Sequence, residues 1–275
     1  MISLLAAEGG GFHVPSLEEL FEYPAFWWSQ DWAIGNIPLG FNRTAMLVFI
    51  GVLGVSLFAW TAVRNAAVVP GKVQGIFEAI VGFIRENIVI EVIGPAGLKF
   101  VPFLTTVFLF VFVNNLYEII PFVNFPTTGR MALPAFLAFM TWAIFIAVGM
   151  KEQGALKYFK NVALPGGVPG FVLPLVIPIE IVSTFIVRPL TLAVRLFANM
   201  MAGHILLAIL FIAANAFLFD VHDLSFNLKG SPIGLVALAA GPAMVGFELM
   251  VGALQAYIFT ILAAVYIGGS LHPEH

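Results

Sequence analysis

Long apolar runs alternate with short polar breaks along this chain, and the run lengths predict its architecture. A bilayer's hydrocarbon core is about 30 Å thick, so a helix rising about 1.5 Å per residue crosses it in about 20 apolar residues. Runs of that size predict spans at about 45–63, 100–120 and 131–150. Two further runs, about 173–218 and 233–267, are longer. As continuous helices they would measure roughly 69 Å and 50 Å. Break sites stand at Pro178, Pro189 and Gly203 in the first and at Gly241-Pro242 in the second. The favoured reading is two long, steeply tilted helices packed on each other, with inward-facing polar groups kept from lipid.

The segment 72–93, opened by Pro70-Gly71, has a different pattern. Gln74, Glu78, Gly82 and Arg85 recur at spacings of four, four and three and make one polar stripe among apolar neighbours. That predicts an amphipathic helix lying in the membrane interface. Lys151, Glu152, Lys157 and Lys160 read as a short loop after the third span. Residues 1–44 are acidic and amphiphilic, with Glu8, Glu18, Glu19, Glu22 and Asp31. Trp27, Trp28 and Trp32 read as interface anchors. The predicted fold is therefore an all-α polytopic membrane protein with about five crossing helices and one interfacial helix. An external segment, 1–44, precedes a single membrane domain, 45–275.

Composition supports this reading and narrows the chemistry. Hydrophobic residues make up 61% of the chain and charged residues 10%, with a mean hydropathy of +1.02. Soluble domains carry about 25% charged residues. A net charge of −3 gives no electrostatic footprint for nucleic acid. With no cysteine, disulfides and thiolate metal sites are excluded. His13, His204, His222, His272 and His275 show no metal-ligand spacing, so neither a metal nor another cofactor is expected. The start, Met1 to Glu8, lacks the basic region of a signal peptide. No internal repeat is visible.

The cations set an expected orientation. Arg64, Lys72, Arg85, Lys99, Lys151, Lys157 and Lys160, seven in all, fall on one side; Arg43, Arg130 and Lys229, three, fall on the other. With five spans the N-terminus is outside and the C-terminus, His272 to His275, is cytoplasmic. The loop 220–229 is then external.

The candidate chemistry lies in the 173–218 run, which carries Arg188, Arg195, Asn199 and His204. Arg in hydrocarbon costs about 2.5–3.5 kcal/mol on insertion scales, and it cannot escape by losing its proton. Snorkelling is the alternative for Arg188, beside Pro189; Arg195 is flanked by apolar residues on both sides. Relative to Arg195 on a helix, Arg188 lies at about +20°, Thr191 at about −40°, Asn199 at about +40° and Glu180 at about −60°. Ser183 lies between Glu180 and this stripe in height. His204 lies on the opposite face, roughly 13 Å further along.

In the last run Glu248 and Gln255 are seven apart and share a face. Gly246, Gly252 and Ala253 nearby allow close helix approach. A carboxylate at membrane depth needs a partner, and His204, Arg188 and Arg195 are the candidates. A structural polar clamp is the alternative for Glu248 and Gln255, and a solvated helix cap for Asn115 and Glu118. Glu180 and Ser183 make a cytoplasmic set. Asn115, Glu118, His204 and Glu248 make an external one, with a permanent cation between the two. Carboxylates and imidazoles relay protons once tuned by their surroundings, and an arginine does not. The pattern reads as two proton half-paths separated by an electrostatic barrier.

The stretch Arg195-Leu196-Phe197-Ala198-Asn199-Met200-Met201-Ala202-Gly203-His204 carries a family resemblance. So do Leu254-Gln255-Ala256-Tyr257-Ile258-Phe259 and Asn115-Leu116-Tyr117-Glu118-Ile119-Ile120-Pro121. Over about residues 35–267 the chain resembles bacterial subunit a of the rotary F-type ATP synthase. The resemblance implies a stationary proton-channel subunit of the Fo sector, offering two half-channels to the rotating c-ring and not an enzyme on its own. Arg195 matches the essential arginine that faces the ring carboxylate. His204, Glu248, Asn199, Gln255, Asn115 and Glu118 match inlet positions, and Glu180 and Ser183 the outlet. Some relatives carry the inlet acid and imidazole in the reverse order. Alignment between Glu180 and Arg195 depends on a one-residue length difference near Arg188. The implied partners are the c-ring, b-type peripheral stalk subunits, the lipid bilayer and protons, in a bacterial cell membrane. The competing reading is a self-contained proton-coupled secondary transporter with Arg195 binding an anionic substrate. That fold usually shows repeats.

Overall fold

The computed structural model describes residues 33–34, 37–38, 41–64, 66–120, 123, 125, 127–164, 172–218 and 231–271. The tryptophan anchors, the acidic N-terminal residues, Pro121, the Pro/Gly-rich 165–170 stretch, the 220–229 loop and the C-terminal histidines lie outside them.

A two-residue antiparallel ladder, β1 (Ala33–Ile34) with β2 (Ile37–Pro38), comes first. Among the described residues, every regular element after it is helical. The helices are α1 (Arg43–Arg64), α2 (Lys72–Ile84), α3 (Val101–Leu116), α4 (Ala132–Gln153) and α5 (Ala155–Ala163), then α6 (Leu173–Val182), α7 (Arg188–Leu218) and α8 (Ser231–Leu271). Inside lipid, backbone groups find partners only within their own helix, so apolar runs of this length become helices. Five helical stretches among the described residues are long and apolar enough to cross a membrane, as expected of a polytopic membrane protein.

The two long runs stay helical through their break sites. Leu173–Leu218 spans 46 residues, through Pro178, Pro189 and Gly203, and Pro232–Leu271 spans 40, through Pro242. At about 69 Å and 60 Å, both exceed the hydrocarbon core about twofold. The first run is not uniform: Ser183–Val187, between α6 and α7, is a π-helical turn.

Two expectations need correction. The stretch after the third span is not a plain loop. Gly154, at φ 82°, reverses the chain into α5. Tyr158 on α5 is buried against Gly149, bonds Ser270 and touches Phe159, which stacks on Phe185 of the π turn. Burial pushes the Tyr158 phenol above its ordinary pKa, so it stays a neutral hydrogen-bonding group.

The amphipathic 72–93 segment is also more than a surface helix. α2 continues as a π helix, Arg85–Ile93, before a 3-10 turn at Pro95–Phe100. Ile84, Ile88 and Val89 are fully buried, and the π helix packs on α8. Period counting placed one apolar face against lipid; the π geometry turns its far half into the bundle core. The near half keeps its polar stripe, with Gln74 donating to Glu78 at 2.7 Å.

α7 packs along α8, and α8 also touches α3 and α4. One core cluster joins Ile84, Ile88, Leu104, Phe145, Ala263 and Ile267; another joins Val111, Leu137, Leu192, Leu196 and Phe259. The two ends are chemically distinct. Lys99 pairs with Glu152 at 2.5 Å, and Gln153 donates to the Ser270 carbonyl at 2.7 Å, tying α4 to the end of α8. At the opposite end Arg43 donates to the Val123 carbonyl and lies 5.3 Å over the Phe125 ring.

A Cβ on Gly149 would overlap the Tyr158 ring, whereas one on Gly54 meets open space. Gly149→Ala is expected to lower the thermal midpoint of the assembled protein, since overpacking costs about 1–3 kcal/mol. Gly54→Ala is expected to leave it in place. Differential scanning of the purified variants checks both.

Candidate functional site

The buried polar groups collect where α3, α7 and α8 meet. Glu118 lies just past the end of α3 and is 2% exposed; His204 on α7 is 6% exposed, and Glu248 on α8 is 5% exposed. Glu118 Oε1 lies 3.7 Å from His204 Nδ1. The Glu248 carboxylate lies against the α7 backbone at Gly203, where any Cβ would collide with it. It is also near enough for its charge to act on Glu118. Three titratable side chains from three helices thus share one buried volume.

Asn115 and Gln255 are buried as well. Asn115 Nδ2 donates to the Gly252 carbonyl of α8 at 3.1 Å, and its Cβ lies where Gly252 leaves room. Glu118 Oε1 and Gln255 Nε2 make no hydrogen bond among the described residues. Neither Asn115 nor Glu118 is a solvated cap.

Arg195 and Asn199 are placed elsewhere. Asn199 is half-buried and lies about 140° around α7 from His204. Arg195 is exposed, on a face with Val187, Leu190, Val194, Ala198, Ala202 and Leu206. Among the described residues it has no ion pair or hydrogen bond. Packing α7 on α8 thus turns His204, Glu248 and Gln255 inward, while Arg195 lies on the outward face. The reason is the helix period, which puts Arg195 and His204 on opposite faces.

Glu180 and Ser183 lie on the other side of Arg195 along the chain, both half-buried. Arg188 Nη2 is 3.5 Å from Glu180 Oε1, and its guanidinium lies 5.6 Å over the Tyr266 ring. On an uninterrupted α-helix, side chains eight residues apart point about 80° apart. The π turn absorbs about one residue, so the pair behaves as if seven apart, within about 20°. The same turn moves Glu180 from about −60° to about +40° relative to Arg195. Arg188 is thus held by an acid and a ring within the bundle.

Glu118, rather than Glu248, is the acid whose carboxylate oxygen lies 3.7 Å from His204 Nδ1. Sequence reasoning missed Tyr266, Thr127 and Thr128. The threonines form a 3-10 turn with Gly129, are fully buried, and donate to Asn114 and Asn115. Their only signal was two adjacent hydroxyls beside Arg130 in an apolar chain.

A family model described as ATP synthase A chain matches residues 44–268. The chain belongs to the ATP synthase A-chain family. It is 43% identical over 270 residues to the ATP synthase subunit a of Parafrankia sp. (strain EAN1pec), covering 98% of this chain and 88% of that protein. It is 39% identical over 274 residues to that of Pseudarthrobacter chlorophenolicus, covering 99% and 98%. It is 40% identical over 279 residues to that of Frankia alni, covering 100% and 91%. Membership in this bacterial family agrees with the resemblance in the sequence.

Gly203 is the one residue type that lets the Glu248 carboxylate lie on the α7 backbone. Gly203→Ala is expected to lower ATP synthesis by the assembled complex at least about tenfold, the effect of about 1.4 kcal/mol. Gly246→Ala, on the same helix as Glu248 but facing open space, is expected to be neutral. Equal effects would show that the close approach is unimportant.

Proposed function

We propose that the chain is the stationary proton-conducting subunit of the Fo sector of a bacterial ATP synthase, presenting two half-channels to a rotating c-ring. The observation that carries this reading is the division of α7 into two faces. One face holds His204 in a buried acid–imidazole group with Glu118 and Glu248. The other exposes Arg195 in apolar surroundings with no counter-charge among the described residues. A permanent cation at membrane depth needs an anion, and here that anion comes from a neighbouring subunit: a ring carboxylate.

The inlet is Asn115, Glu118, His204, Glu248 and Gln255, opening to the outside, with Asn199 on the Arg195 side of α7 at its inner end. Glu118 and Glu248 with His204 supply groups that take up and release protons in turn. The unsatisfied Glu118 and Gln255 atoms offer a transient partner to a passing proton carrier. A ring carboxylate protonated from this side is neutral and enters lipid. After nearly a full turn it meets the field of Arg195, which favours the ionised form. The proton leaves on the Glu180 and Ser183 side, where Arg188 holds the Glu180 carboxylate. Each elementary charge crossing 100 mV supplies about 2.3 kcal/mol.

In this reading the lysine-rich end is cytoplasmic, the N-terminus is external, and the b-type peripheral stalk holds the subunit against rotation. A self-contained carrier would want Arg195 turned into a substrate cavity, and its outward aspect counts against that.

Arg195→Ala is expected to abolish both proton-driven ATP synthesis and ATP-driven acidification of vesicles. Unchanged acidification by the assembled variant would contradict the proposal.

A further inference from the structure

The turn between the second and third spans reaches back onto the end of α3 with two hydroxyls in register. Thr127 Oγ1 donates to Asn114 Oδ1 at 2.8 Å, and Thr128 Oγ1 donates to Asn115 Oδ1 at 3.1 Å. Both threonines are 0% exposed, and the asparagines are 0% and 3% exposed. The two asparagines then point apart. Asn114 Nδ2 donates to the Phe110 carbonyl at 2.9 Å and lies toward Gly51 of α1. Asn115 Nδ2 donates to the Gly252 carbonyl of α8 at 3.1 Å. The turn also touches α1, α4 and α7.

An amide has an acceptor end and a donor end. A hydroxyl that donates to Asn115 Oδ1 leaves Nδ2 as the end aimed at α8. The Gly252 carbonyl has no proton to give, so this orientation is the one that satisfies both partners. Without the Thr128 hydroxyl the amide loses the bond that fixes its orientation, and its buried oxygen is left without a donor. Asn115 lies three residues before Glu118, on the same side of the chain end. Its bond to α8 therefore sets how Glu118 stands against Glu248 and His204.

We propose that Thr128 is a positioning residue of the proton inlet. Its hydroxyl orients the Asn115 amide, which pins the end of α3 to α8 and holds Glu118 beside His204 and Glu248. The inference rests on the inlet reading of Glu118. Among the described residues, the charged groups at this end besides Glu118 are His204 on α7, Glu248 on α8, and Arg43 on α1, which is held by Val123 and Phe125. Arg130 follows the turn directly.

The test is acid-driven ATP synthesis by the whole complex in vesicles, measured per assembled complex as a function of the pH on the inlet side. Thr128→Val keeps the shape and removes the donor. It is expected to lower the rate about tenfold, the scale of one buried acceptor left unsatisfied, and to displace the pH profile. Thr128→Ser is expected to restore both. A variant that merely loosened the fold would reduce the amount of complex and leave the profile of what assembles unchanged. If Thr128→Val does not assemble, Thr128→Cys, a weak donor, takes its place and is expected to fall between Ser and Val. Glu118→Gln is run in parallel. A wild-type profile in the Thr128 variant beside an altered one in Glu118→Gln overturns this inference alone. Wild-type profiles in both overturn the inlet reading and this inference with it. Failure of Thr128→Ser to restore what Thr128→Val loses also overturns it.

Discussion

A charge at membrane depth must have a partner, and the architecture of this chain follows from how each charge finds one. Arg188 is held by Glu180 and Tyr266 within the bundle. Glu118 lies beside His204 between three helices. Lys99 and Glu152 meet at one end. Arg195 alone among the cations of the two long helices has no such contact among the described residues, and it faces outward. An arginine cannot become neutral, and in the proposed function it is this one charge that a neighbouring subunit meets.

Small residues make the other side of α7 workable. Gly203 lets the Glu248 carboxylate reach the α7 backbone, and Gly252 lets Asn115 lie against α8. These contacts bring polar groups from three helices into one buried volume without exposing them to lipid, where unsatisfied polar atoms are costly. Glycine and carboxylate are thus specified together: the glycine is as much part of the site as the acid. The π turn at Ser183–Val187 plays a comparable part on the other side. It rephases α6 against α7 so that Glu180 meets Arg188.

Much of this was legible in the sequence because hydropathy and helix period are local. Runs of apolar residues gave the five crossing stretches, and 100° per residue placed Arg195 and His204 on opposite faces. What was not legible depends on breaks in that period or on contacts between distant segments. A π turn has no strong sequence signal, so the phase of Glu180 and the burial of Ile88 and Val89 escaped period counting. The α5 helix hinges on Gly154, which single-sequence patterning reads as loop. Thr127 and Thr128 were not legible either, since nothing local announces that a hydroxyl will meet Asn114 or Asn115 thirteen positions earlier.

The measurement that bears most directly on the central claim is a density map of the assembled membrane sector at side-chain resolution. The account predicts that the face with Leu190, Val194, Arg195 and Ala198 lies against the ring, with the guanidinium within reach of a ring carboxylate. His204, Glu118 and Glu248 should lie behind it, on the far side of α7. A map in which Arg195 faces lipid, or in which the ring contacts α1 instead, would contradict it.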